Sequence, residues 1–149
     1  MMRKRKLLCC VIFSVIWMIV SVVISSANEF ELSASEEDII CRFITAACGE
    51  EAPLAAKLGV ANIVLNRLAD SNFPNTVTDV IFLGEFECVE NGELEDAYLS
   101  PRSVSAEDAL MMALSGRDPT NGALFFVEKS LGTEEIAISF EAGRLVFGK

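Results

Sequence analysis

The 149-residue chain has no histidine, one tryptophan, one tyrosine, four prolines and only twelve basic residues. No histidine and no C-x-x-C pair argue against a zinc site, and neither a metal nor any other cofactor is expected. Four of the twelve basic residues fall within residues 1–6, and no acid precedes Glu29. Residues 28–149 therefore hold eight bases against 22 acids, a net charge of −14. With no basic patch to displace phosphate counterions, nucleic acid is excluded as a partner. Of five cysteines, Cys9 and Cys10 lie near the N-terminus, leaving Cys41, Cys48 and Cys88. Three is odd, so no complete disulfide framework is implied. Cys41 and Cys48 would stand ~10 Å apart on one helix, too far to bridge. All three read as small, buried, apolar residues.

What the chain does have is a long uncharged run, Leu7–Ile24, directly after MMRKRK and before Ser25-Ser26-Ala27. Basic start, apolar core and small residues make an export signal. Its 18 residues exceed the ~7–15 of an ordinary signal core and reach the ~18–20 that span a bilayer. Two outcomes stay open: a signal peptide cleaved after Ala27, or an N-terminal hydrophobic helix kept as an anchor. Either way the basic end stays inside and the rest is exported, with membrane contact only through residues 7–24. The expected division is 1–27 targeting segment, 28–34 linker and 35–149 one domain.

Within that domain the punctuation favours helices first and strands last, an α+β order. Ser35-x-x-Asp38 matches a capping box and opens a helix that Gly49 closes. Pro53 suits the first turn of a second helix running to about Ala69, with Leu54, Leu58, Ala61, Leu65 and Leu68 on one stripe. Thr76 or Thr78 caps a short helix, Val77–Phe82. Residues 83–92 read as irregular and 93–102 as an acidic loop. Ser105-x-x-Asp108 opens a further helix ending at Gly116. After the turn Asp118–Gly122, Ala123–Val127 reads as a strand, and Ile136–Phe140 with Leu145–Phe147 as a hairpin turned at Glu141–Gly143. Phe43, Leu58, Leu65, Val80, Leu110 and Phe125 are the expected core.

Four blocks carry a family resemblance: GVANIVLNRL (59–68), FPNTVTDVIF (73–82), GEFECVENG (84–92) and ALSGRDPTNGALFF (113–126). In order and spacing they resemble the spore-cortex-lytic (SleB-type) cell-wall hydrolases. That resemblance implies a lysozyme-like α+β domain, mainly helical with a small C-terminal antiparallel sheet. It also implies cleavage of the bond between N-acetylmuramic acid and N-acetylglucosamine in peptidoglycan, by hydrolysis or as a lytic transglycosylase. Action on the wall puts the domain outside the cytoplasm, in the wall or on the outer membrane face.

Such chemistry needs one carboxyl that serves first as acid and then as base. The substrate's own N-acetyl group can replace a second carboxylate. In the family that carboxyl belongs to the first glutamate of an E-A-x-G-E motif. An ungapped frame puts Cys48 at its position; a frame shifted by two residues matches Ala47-Cys48-Gly49-Glu50 and puts Ala46 there. Glu50 and Glu51 are the nearest carboxyls and the candidate catalytic residues, expected in a cleft lined by the FPNT turn and the Phe86 segment. The same two acids also suit the first turn of the helix at Pro53, where they would complement its dipole. Phe86 and Phe125 are candidates for stacking on sugar rings, and Glu85, Glu87 and Glu90 are alternative acids. The absence of a glutamate at the motif position also admits a catalytically silent wall-binding or regulatory domain. The C-terminal Gly143-Arg144-Leu145-Val146-Phe147 departs from the family's glycine-asparagine-histidine-aromatic segment.

Overall fold

A computed structural model describes residues 30–131 and 137–149. The hydrophobic run 7–24, its boundary at Ala27 and the start of the linker lie outside the described residues. The chain order is α1 (Ala34–Cys48), α2 (Leu54–Ala69), α3 (Val77–Phe82), α4 (Glu87–Glu90), α5 (Glu93–Ala97) and α6 (Val104–Leu114). Then come β1 (Phe125–Glu128), a 3-10 turn (Lys129–Leu131), β2 (Ile138–Ala142) and β3 (Leu145–Gly148). The expected α+β arrangement, mainly helical with a small antiparallel sheet at the end, is what the described residues form.

α2 is the central element, buried over eleven of its sixteen residues. It carries no acid in its first turn and is apolar on nearly every face, so it needs cover on all sides. α1 and α6 supply that cover on the helical side. The sheet completes it where Gly59 leaves room for Phe147; a Cβ at Gly59 would stand 2.5 Å from Phe147 Cζ. The sheet order is β1-β3-β2, all antiparallel, with Phe126 opposite Phe147 and Phe147 opposite Phe140. A chain of rings then joins helices to sheet: Phe43–Phe86 (centroids 4.7 Å apart), Phe86–Phe126 (5.5 Å, stacked), Phe126–Phe147 (6.1 Å) and Phe147–Phe140 (5.7 Å). Each fully buried phenylalanine contributes roughly 1.5–3 kcal/mol of transfer free energy.

Several local expectations are corrected. The cap of α1 is Ser33, not Ser35: its Oγ accepts from Glu36 N–H while the Glu36 carboxylate accepts from Ser33 N–H at 2.8 Å. The Ser33 hydroxyl and then its amide hold the Glu36 carboxyl below its ordinary pKa. Asp38 is drawn away to Arg42 at 2.8 Å, one turn on. α6 likewise starts from Ser103, whose Oγ accepts from Ala106 N–H, because Ser105 is engaged by Lys57. The supposedly irregular 83–92 and the acidic loop 93–102 each contain one helical turn, α4 and α5, separated by Gly92 at φ 87°. The hairpin turns at Gly143-Arg144 instead of Glu141–Gly143.

Phe43, Leu58, Leu65, Val80 and Leu110 are buried as expected, but Phe125 is 42% exposed. Phe126 faces the core in its place. Strand side chains alternate, so of two adjacent phenylalanines only one can point inward. All three described cysteines are buried and free, as the sequence indicates.

Candidate functional site

The C-terminal end of α1 forms the floor between two cavities. A larger one, about 680 Å³, is lined by Arg42, Thr45, Ala46, Glu50 and Ser103 together with the 96–102 segment. A smaller one, about 240 Å³, is lined by Ala47, the Glu85–Cys88 stretch, Glu128 and Arg144. Glu93 stands in the wall of both. These two hollows, with Glu93 in common, are taken together as the candidate groove, and consecutive alanines line one each, because successive helix positions diverge by about 100°.

Two cations set the groove's shape. Arg42 donates from Nη1 to the carbonyls of Ala97 (2.7 Å) and Ser100 (3.2 Å) and lies 4.5 Å from the Tyr98 ring, tying that wall to α1. Arg144, from the hairpin turn, donates to the Ala47 carbonyl at 3.3 Å and pairs with Glu128 at 3.1 Å. Under the floor, Lys57 is fully buried and donates to the Glu50 carbonyl at 2.6 Å and to Ser105 Oγ. A buried ammonium needs such partners. This one fixes the backbone of the turn that follows Gly49.

Glu50 is exposed at the edge of the larger cavity, where its carboxylate accepts from Ser103 Oγ at 3.0 Å. Neither the FPNT turn nor Phe86 belongs to the wall of that cavity. Glu51 is exposed next to it and lines neither end of the groove. Phe86 is buried and lines both the smaller cavity and a third of about 350 Å³, on which Phe125 also opens. The two phenylalanines thus share a cavity, and Glu50 lines neither of theirs. Of the alternative acids, Glu85 and Glu87 line the smaller cavity.

Cys48 is core, its thiol pushed up to about 12 by burial; Cys88 stands at about 12 and Cys41 at about 11 for the same reason. None supplies a thiolate nucleophile at neutral pH. Of the two motif frames, the one that places Ala46 at the glutamate position puts that position on the groove. The other puts it in the core.

Two residues escaped sequence reasoning. Glu93 sits in an acidic run that reads as solvated surface. Arg67, at the end of α2, is buried without a carboxylate partner within ion-pair distance among the described residues. Its Nε donates to the Leu124 carbonyl at 2.7 Å and Nη1 to the Gly84 carbonyl at 3.3 Å. The guanidinium carbon lies 4.4, 4.8 and 5.1 Å from the centroids of Phe86, Phe73 and Phe125. Burial lowers its pKa to about 10, so it stays charged at neutral pH.

The sequence pattern of the cell wall hydrolase family matches residues 51–145. The spore cortex-lytic enzyme of Bacillus cereus is 36% identical over 84 residues, 56% of this chain and 31% of that protein. The spore cortex-lytic enzyme of Halalkalibacterium halodurans is 34% identical over 82 residues, 54% of this chain and 24% of that protein. The matched stretch thus spans under a third of these relatives. Among solved structures, the catalytic domain of the germination-specific lytic transglycosylase SleB from Bacillus anthracis superposes with a TM-score of 0.67 at 27% identity. That alignment covers 80% of this chain and 98% of the other. The catalytic domain of Bacillus cereus SleB gives 0.64 at 29% identity, covering 82% and 96%.

Proposed function

The chain belongs to the cell wall hydrolase family, and from that membership we propose that its groove binds peptidoglycan glycan strands and cleaves the muramic acid–glucosamine bond. The observation that carries the reading is the larger cavity at the end of α1, with a carboxylate, Glu50, at its edge. Glu50 serves as the acid that protonates the glycosidic oxygen and then as the base that takes a proton back. Its hydrogen bond from Ser103 orients the carboxyl, and Lys57 holds the turn beneath it. The substrate's N-acetyl group stabilises the developing positive charge, so a second carboxylate is dispensable. The acceptor is water for a hydrolase and the muramic acid's own hydroxyl for a lytic transglycosylase. The work site is outside the cytoplasm, reached through the signal in residues 1–27.

The test is muropeptide release from purified peptidoglycan by the protein and its Glu50→Gln, Glu51→Gln and Ala46→Glu variants. Glu50→Gln keeps the shape and removes the proton donor, so release falls about 10²–10⁴-fold, while Glu51→Gln stays near the parent. A loss confined to Glu51→Gln would transfer the role to that residue. The alanine at the groove-facing motif position favours a second reading, a silent wall-binding domain. Its signature is an inert parent that gains release on Ala46→Glu.

A further inference from the structure

Lys57 is fully buried, yet it pairs with no carboxylate among the described residues. Its ammonium donates to the Glu50 carbonyl at 2.6 Å and to Ser105 Oγ. Ser105 Oγ stands 3.1 Å from Ser103 Oγ, and Ser103 donates to Glu50 Oε1 at 3.0 Å. A cation under the floor is thus joined to a carboxylate at the cavity edge through two hydroxyls. No cation among the described residues pairs with that carboxylate directly. Arg42 and Arg102 line the same cavity but are taken by Asp38, Glu107 and backbone carbonyls.

Protons and lone pairs fix the direction of this chain. An ammonium has protons and no acceptor, so Ser105 Oγ accepts from Lys57. An ionised carboxylate only accepts, so the Ser103 proton goes to Glu50 and the Ser105 proton lies between the two serines. Ser103 Oγ also accepts from Ala106 N–H at 3.3 Å, which fills its second lone pair. With both lone pairs filled it cannot accept from a protonated Glu50, whose proton must then sit on Oε2. From this geometry we infer that Lys57 is a positioning residue for the reaction: through Ser105 and Ser103 it holds Glu50 Oε1 as an acceptor in both charge states and leaves Oε2 to carry the catalytic proton. No proton travels along the chain, and neither Lys57 nor Ser105 lines the cavity. The inference rests on the reading of Glu50 as the acid. The working oxygen is chosen before substrate arrives, so little reorganisation remains at the moment of reaction.

Muropeptide release and NMR of the full protein test it together. Ser105→Ala, at a half-buried position, breaks the chain but keeps the bond from Lys57 to the Glu50 carbonyl. Its kcat should fall about tenfold, the worth of one hydrogen bond, with KM unchanged. Lys57→Gln, which can donate or accept, removes the fixed direction and lowers kcat to a similar extent. Ser105→Thr keeps the hydroxyl and restores the rate. In the spectrum, the parent shows a slowly exchanging Ser103 hydroxyl proton correlated with the Glu50 carboxyl carbon; Ser105→Ala loses it and Ser105→Thr regains it. A Ser103 hydroxyl absent from the parent spectrum, or equally protected in Ser105→Ala, overturns the inference. So does a kcat indifferent to Ser105→Ala where Glu50→Gln abolishes release, a result that leaves the proposed function standing. A parent that releases nothing, yet shows the Ser103 signature and its loss in Ser105→Ala, does the reverse: the function falls and the hydrogen-bond chain stands.

Discussion

Replacing Arg67 by methionine removes the tie between the end of α2 and two other segments. The side chain bonds the carbonyls just before β1 and just before α4, and its charge lies among three phenylalanine rings. Two hydrogen bonds from a charged donor are worth about 1.5–3 kcal/mol each. Three ring contacts add about 0.5–1 kcal/mol each. Methionine regains part of the packing and is spared the guanidinium's desolvation, which the fall in pKa to about 10 registers. It leaves two carbonyls unpaired, however. The net loss expected is about 3–5 kcal/mol, set by the two charged-donor hydrogen bonds lost and the carbonyls left unsatisfied. That is a fifth or more of the ~5–15 kcal/mol of an ordinary domain. Urea denaturation at neutral pH measures it directly. Arg67→Lys should recover less than half, because one ammonium cannot reproduce the two-pronged geometry. A loss below about 1 kcal/mol for Arg67→Met would refute the idea that this side chain holds the three segments together.

Gly84→Ala should damage the same junction from the other side. A Cβ there would stand 2.3 Å from the Val80 carbonyl, 2.5 Å from Phe86 and 2.7 Å from Arg67 Nη1, two of them fixed by packing. Overpacking of that kind costs about 1–3 kcal/mol or more, and a calorimetric midpoint unchanged from the parent would contradict it. Asp118 supplies a pH-dependent contribution: burial works to raise its pKa, but hydrogen bonds from Thr120, Gly122 and Asn66 outweigh it, so the carboxyl sits below its ordinary value. A depressed folded pKa means stability that is present above about pH 4 and lost as pH falls through the lower, folded value. Asp118→Ala should thus cost about 1–3 kcal/mol at pH 7, and the gap should shrink in denaturation curves taken toward pH 3.

Much of the fold was legible because its signals were local. Thr76, one of the two caps the sequence offers, opens α3, and α2 begins at Leu54, after Pro53, and ends at Ala69. The caps of α1 and α6 were each misread by two residues, because a second serine at that offset offers the same pattern. What decided between them lay outside the pattern: Arg42, one turn on in the same helix, takes Asp38, and Lys57, from another helix, takes Ser105. Phe125 and Phe126 pose the same problem in a strand, where periodicity says that one is inside without saying which. The site was less legible still. Its walls come from segments that meet only in the fold, and Glu93 and Arg67 carry no local mark of standing at a cavity. The position of Ala46 on the groove could not be read from the motif, since a two-residue shift separates a groove-facing alanine from a core cysteine.

The phenylalanine chain from Phe43 through Phe86, Phe126 and Phe147 to Phe140 has a mechanical consequence. It acts as a strut between helices and sheet, so the distance between those two bodies is set once, when the core forms. The sheet side of the groove cannot swing without unstacking aromatic rings. Any give must come from the opposite bank, residues 96–102, which is held mainly by polar ties, Arg42 to its carbonyls and Arg102 to Asp38 and Glu107. The groove is thus a caliper with one fixed jaw on the sheet side and one adjustable jaw on the other.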